Sequence, residues 1–228
     1  MPCVIGLTGS IATGKSSASN VFRSCSVPVV DADEIAKGVL GKGTLGLFLV
    51  RLNFGGEILR EDGSLDRDKL GEMIFVDSRK RRKLNMCTHP LIILEMIRQL
   101  LVAVFVKMEP IVVLDTPLLY ETKLLVRFCT TTLVIACSEE HQLSRLISRN
   151  NLSEEEARSR IASQMPISEK KRRASHVIDN DGTLEDLKNN VEGLISRLKP
   201  TANSEIIFRG LVVMLYSLPL VSLYRCLK

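Results

Sequence analysis

The sequence predicts an α/β fold built on a five-stranded parallel sheet, with a helical subdomain inserted after the second strand. Three observations carry this. Apolar, β-branched runs bounded by turn residues recur along the chain as "CVIGL", "VPVVDAD", "IVVLDTP", "TTLVIACS" and "HVIDN", with stretches of helical periodicity between them. Such alternation means parallel strands covered by helices on both faces. The first run leads straight into a glycine-rich loop and a helix-compatible "SSASNVFRS". The connection after the second run, from about Glu34 to Glu109, is too long for a bare loop and must carry structure of its own.

The first run and its loop read "VIGLTGSIATGKSS". Gly9, Gly14, Lys15 and Ser16 stand at the spacing G-x-x-x-x-G-K-S/T, in the strand–loop–helix context that the motif requires. Glycines at both ends let the backbone curl close to a polyphosphate, because no Cβ is in the way. The amides from Thr8 through Gly9, Ser10, Ile11, Ala12, Thr13 and Gly14 to Lys15, Ser16 and Ser17 then form an anion nest, to which the following helix adds its positive end. In this motif Lys15 bridges the β- and γ-phosphates of ATP, and the Ser16 hydroxyl is a ligand for Mg²⁺.

The second run ends on Asp31 and Asp33, at the carboxyl end of a strand, where ligands sit in open α/β sheets. The two aspartates need not have one job. One can accept the proton of a hydroxyl nucleophile, and either can cap the next helix. The insertion holds the turn signals "GKG" and "REDGSLDRDKL" and then a helix predicted from Pro90 to Lys107. His89, just before that proline, reads as a capping or packing residue. The third run ends on Asp115, the form taken by an aspartate beside the nucleotide's Mg²⁺.

The fourth run is followed by two predicted helices, "SEEHQLSRLISRN" and "LSEEEARSRIASQM", with Ser138 and Ser153 as N-caps and acids in the first turns. Arg145 and Arg149, four apart, share a helix face. Arginines on a closing segment neutralise a transferring phosphoryl group and exclude water. Arg158, among Glu154, Glu155 and Glu156, reads instead as part of a solvated face, with Arg160 next to it.

The 228 residues allow one α/β domain with an insertion and a full core. A net charge of +5, with neither an arginine-rich arm nor aromatic–basic interleaving, suits anionic small molecules and gives no sign of nucleic acid as a partner. Six cysteines without C-x-x-C spacing, and no secretory leader, predict reduced thiols in an intracellular protein, cytoplasmic or organelle-associated, and no zinc site. The segment Ile206–Leu223 is 18 residues long with a single charge, Arg209. It is a candidate membrane anchor, with a docked core helix or an interfacial helix as the alternatives.

Taken together, "GLTGSIATGKSS", "VVDADEIAK", "DGSLDRDKL", "THPLI", "DTPLLYE" and "SQMPISEKKRRASHVIDNDG" resemble the dephospho-coenzyme A kinases, from about Val4 to Leu198. The resemblance implies a P-loop kinase fold with a helical substrate domain and a lid, and transfer of the γ-phosphate of ATP to the ribose 3′-hydroxyl of dephospho-CoA. It implies a kinase domain over 1–200, with the insertion at about 34–109, the lid at about 145–175 and an appended tail at 204–228. It makes Asp33 the general base, Arg145 and Arg149 lid arginines, and Asn180 a residue near the adenine; the inserted helices with His89 would hold the CoA side. The chain departs from the family pattern in "GKGTLG" and "ASHVI", both outside the phosphate loop. The alternatives are another small-molecule kinase acting on a nucleoside or nucleotide, and a membrane-tethered nucleotide-binding scaffold. A guanine-reading N-K-x-D is absent.

Overall fold

The five strands form at the five runs that the sequence marks. In the computed structural model, which describes residues 2–201, 203–210 and 212 and not the side chains at 75 and 76, they are β1 (Cys3–Gly9), β2 (Val29–Asp31), β3 (Ile111–Asp115), β4 (Thr131–Ala136) and β5 (His176–Asp179). Their order is β2-β3-β1-β4-β5. β1 pairs in parallel with β3, Leu7 opposite Asp115, and with β4, Leu7 opposite Leu133; β4 pairs in parallel with β5. The strand order runs away from β1 in both directions, so the loop after β1 lies at a switch point, where crevices open in such sheets.

Strand periodicity of two decides the faces. Ile5 and Leu7 of β1, with Leu133 and Ile135 of β4, bury one face against Ala18, Val21 and Phe22 of α1 (Lys15–Ser24) and Leu187, Val191 and Leu194 of α10 (Leu184–Leu198). Val134 and Ala136 face the other way, onto Tyr120, Met165 and Ile167. Packing on both faces explains why the strands read as continuous apolar runs.

The chain divides into two compact units, one of residues 1–29 with 100–228 and one of residues 30–99. The second unit starts with α2 (Ala32–Val39) and α3 (Leu45–Phe54), continues through a turn closed by a bridge between Leu59 and Leu65, and adds α4 (Arg67–Val76) and most of α5 (Ser78–Leu101). It has its own core of Leu47, Val50, Phe54, Ile58, Leu65 and Leu70.

One expectation is corrected here. α5 begins at Ser78, and Pro90 lies inside it. The start signal is Asp77, whose Oδ1 accepts from the amides of Arg79 at 2.8 Å and Lys80 at 3.3 Å, the bonding of an N-cap. Proline favours a first turn but does not create one, and here the chain accepts the missing amide in the helix interior. His89 is therefore a half-buried mid-helix residue and caps nothing. Past Leu101 the helix widens into a π-turn, Val102–Val106.

By length and composition, one helix among the described residues is long and apolar enough to cross a membrane, Ser78–Val106. Its Met96, Leu100, Ala103 and Val104 are buried in the protein. The tail is described only at its start. Residues 203–210 are helical, Phe208 stacks obliquely on Phe105 with ring centres 6.1 Å apart, and Glu205 and Arg209 lie beside Met108 and Pro110. Of the candidate anchor Ile206–Leu223, residue 211 and residues 213–223 lie outside the described residues.

Candidate active site

The phosphate loop is anchored at both ends. Thr8, fully buried, donates through its hydroxyl to the Pro117 carbonyl at 3.2 Å. Inside the loop the Ser10 carbonyl accepts from the Thr13 hydroxyl at 2.9 Å. A Cβ on Gly9 would come within 2.8 Å of the Ile135 carbonyl oxygen, so only glycine lets β1 run this close to β4 there. Gly14, at φ 95°, turns the chain into α1, and a Cβ on it would collide with the Asn180 amide. Both glycine positions in the motif are thus required by packing as well as by phosphate access.

The N-terminus of α1 differs from that of most helices in the molecule. α2 is capped by Asp31, α7 (Glu139–Asn150) by Ser138, α8 (Glu154–Ala162) by Ser153 and α10 by Thr183, and all four have acids in the first turn. α1 has no side-chain cap and no acid in its first turn. Its first amides and the positive end of its dipole are left for an external anion.

Lys15 and Asp115 meet at the base of the loop. The ammonium lies 2.6 Å from Asp115 Oδ1, and the carboxylate is only 2% exposed. The Ser19 hydroxyl donates to the other carboxylate oxygen. Ser19 is one helical turn beyond Lys15, and its fixed place on the buried face of α1 was the signal for it. Ser16 is exposed in the first turn of the same helix.

Asn180, at the end of β5, is 8% exposed and donates from its side-chain amide to the Thr13 carbonyl at 2.9 Å. Its own carbonyl accepts from Arg145 at 2.9 Å. The structure therefore joins Arg145, Asn180 and the P-loop in one chain of hydrogen bonds. Next to Asn180, Asp181 takes the Ser138 amide at 2.8 Å, the Ser138 hydroxyl at 2.9 Å and the His141 ring at 2.8 Å. These donors, the Ser138 amide first, hold its carboxyl down at about 2. A depressed carboxyl stabilises the fold above the ordinary aspartate range and loses that contribution as pH falls through about 2. The tie between β4 and β5 is therefore intact at all physiological pH.

Arg149 is exposed, one turn beyond Arg145, and its Nε donates to the neighbouring Asn150 side chain at 3.0 Å. Arg158 pairs with Glu154 and Glu139 on the surface, the solvated face expected of it. In the second unit, Asp31 and Asp33 are separated by role. Asp31 Oδ1 accepts the amides of Asp33 at 2.9 Å and Glu34 at 3.2 Å, which is a helix cap. Asp33 is exposed in the first turn of α2. No group of three or more His, Cys, Asp or Glu side chains able to hold a metal occurs among the described residues, and the thiols of Cys3, Cys25, Cys87, Cys129 and Cys137 are free.

Residues 3–186 match the family described as CoaE, dephospho-CoA kinase. That span holds the P-loop, the strands that end on Asp31 and Asp115, and the Asn180 loop. The chain belongs to the dephospho-CoA kinase family. A dephospho-CoA kinase of Bacillus anthracis is 47% identical over 197 residues, covering 86% of this chain and 98% of the relative. A dephospho-CoA kinase domain-containing protein of Danio rerio is 46% identical over 195 residues, 86% of this chain and 85% of the relative. Among solved structures, a dephospho-CoA kinase from Campylobacter jejuni matches with a TM-score of 0.68 at 27% identity, over 87% of this chain and 98% of that one.

The glycine turn gives a direct test. Gly14→Ala places a methyl on the Asn180 amide at a φ that disfavours any side chain. It should raise the KM for ATP about tenfold or more, on the scale of one lost charge-assisted hydrogen bond, and a KM within twofold of the parent would show that the loop tolerates the shift.

Proposed function

We propose that this chain transfers the γ-phosphoryl group of ATP to the ribose 3′-hydroxyl of dephospho-CoA, giving coenzyme A and ADP. The observation that carries the reading is the family match over residues 3–186, which covers a phosphate loop opening onto an uncapped helix. A scaffold without turnover would need a broken site, and Lys15, Asp33, Asp115, Arg145 and Arg149 are all present.

The roles follow from chemistry. The loop amides and the α1 dipole hold the β- and γ-phosphates. Lys15, which rests on Asp115, turns to the γ-phosphate as charge builds on its oxygens. Hard oxygen donors suit Mg²⁺, so the Ser16 hydroxyl and the Asp115 carboxylate would hold it, where it supplies neutralisation of the phosphate oxygens. Asp33, exposed and not used as the cap, accepts the proton of the 3′-hydroxyl. Arg145 ties the Asn180 loop to the nucleotide site, and Arg149 closes over the transferring group. The exchange balances: the 3′-oxygen gains a P–O bond, the β–γ bridge breaks, and Asp33 takes the hydroxyl proton.

An acceptor panel of dephospho-CoA, AMP and nucleosides with ATP tests the substrate, with turnover expected to favour dephospho-CoA. The lid assignment has its own check. Arg149→Ala should lower kcat/KM by roughly tenfold or more at unchanged melting temperature, the loss of one charge clamp in the closed state. An unchanged kcat/KM would return Arg149 to a solvated helix face.

For the tail, the packing of residues 205–209 on the core leaves 14 residues, 210–223, before the basic end. Fourteen residues in helical form would extend about 21 Å at 1.5 Å rise, short of the ~30 Å hydrocarbon core, and this length supports interfacial attachment over a full span. The full-length chain is expected to partition with membranes and to be released by alkaline carbonate, while a chain ending at Lys199 stays soluble and active. A full-length chain wholly in the soluble fraction would make the tail a docked helix.

A further inference from the structure

Residue 11 of the phosphate loop is held by two glutamines that the kinase motif does not include. Gln142, on α7 and 2% exposed, donates from its side-chain amide to the Ile11 carbonyl at 2.7 Å. Gln164, in the turn between α8 and α9 (Ile167–Arg173), accepts from the Ile11 amide at 2.8 Å. The next residue, Ala12, has φ 61°, a left-handed conformation that costs a residue with a Cβ free energy.

These facts connect through the planarity of the peptide. In a trans peptide the carbonyl and the following amide point in opposite directions. Pinning the Ile11 carbonyl on Gln142 therefore turns the Ala12 amide to the opposite side of the chain, away from α7. Taking the Ile11 amide on Gln164 likewise turns the Ser10 carbonyl the other way, and that carbonyl is where the Thr13 hydroxyl bonds. Without the clamp, the Ile11–Ala12 peptide can rotate and relieve the strain at Ala12. Gln142 comes from α7 and Gln164 from the turn that joins α8 to α9.

We infer that Gln142 and Gln164 are positioning residues that hold the Ile11–Ala12 peptide in its phosphate-receiving orientation and tie that orientation to the α7–α9 segment. The inference rests on the ATP-dependent kinase reading above. The polarity of the clamp is fixed whichever way the side-chain amides are assigned, because a backbone N–H only donates and a carbonyl only accepts. Gln142 must donate and Gln164 must accept.

That polarity makes the test. Gln142→Glu and Gln164→Glu add the same charge next to the same residue, so repulsion of ATP is common to both. Gln164→Glu keeps an acceptor for the Ile11 amide. Gln142→Glu sets a carboxylate against a carbonyl and loses the bond unless its carboxyl is protonated. The KM for ATP and kcat are measured for both variants and for Gln142→Met and Gln164→Met, with melting temperatures alongside. Gln142→Glu should raise the KM for ATP at least roughly tenfold more than Gln164→Glu, on the scale of one buried hydrogen bond. The gap should narrow as pH is lowered from 8 to 6 and a buried carboxyl takes up its proton. Both Met variants should raise the KM for ATP more than they lower kcat. Equal effects of the two Glu variants at every pH, or Met variants that lower the melting temperature and leave the KM for ATP unchanged, would overturn the inference. Loss of turnover in the unsubstituted chain itself would instead count against the kinase reading.

Discussion

Lys15→Ala is expected to lower kcat by roughly a hundredfold or more. The size is that of a removed electrostatic group aimed at charge that develops in the transition state. The structure adds a second consequence. Lys15 is the ion partner of Asp115 at 2.6 Å, and that carboxylate is 2% exposed. Removing the ammonium leaves the carboxylate with Ser19 and its remaining contacts, a loss of about 1–3 kcal/mol that lowers Tm by several degrees in a chain of this size. Measurement of kcat and Tm together separates the effects, since a Tm drop changes the amount of folded enzyme and leaves turnover per folded molecule alone. A variant that melts lower and keeps parental kcat would show that Lys15 serves Asp115 and not the phosphates.

Asp33→Asn is expected to lower kcat by 10²–10⁴, the range for a lost general base, with the KM for ATP little changed. The comparison variant is Asp31→Asn. Asp31 accepts the Asp33 and Glu34 amides, and asparagine caps a helix about as well as aspartate. Asp31→Asn should therefore cost only a few tenths of a kcal/mol in stability and less than about fivefold in kcat. Steady-state kinetics on the pair decide the assignment. A large kcat defect in Asp31→Asn beside a mild one in Asp33→Asn would reverse the roles.

The sheet was legible because β1, β3 and β4 are buried on both faces and so read as uninterrupted apolar runs. The caps at Ser138 and Ser153 were legible because capping is local chemistry within four residues. The phosphate loop was legible for the same reason. The start of α5 was not, because Pro90 gives a stronger local signal than Asp77, and the helix nevertheless runs through the proline. The division of labour between Asp31 and Asp33 also lay beyond the sequence, since either can cap and only the fold shows which one does. Gln142 and Gln164 are 22 positions apart and more than 130 from Ile11. Contacts of that separation leave no periodic trace, and both glutamines look like ordinary polar helix and turn residues. Ser19 is intermediate. Its place one turn after Lys15 puts it on the same face, but only the position of Asp115 gives that face a partner.

The most direct test of the central claim is one incubation of the full-length chain with ATP, Mg²⁺ and dephospho-CoA, with coenzyme A and ADP measured together. Equimolar formation of the two is expected, dependent on dephospho-CoA and slowed roughly a hundredfold or more in Lys15→Ala. ATP consumption that proceeds with AMP or a nucleoside and yields no coenzyme A from dephospho-CoA would contradict it.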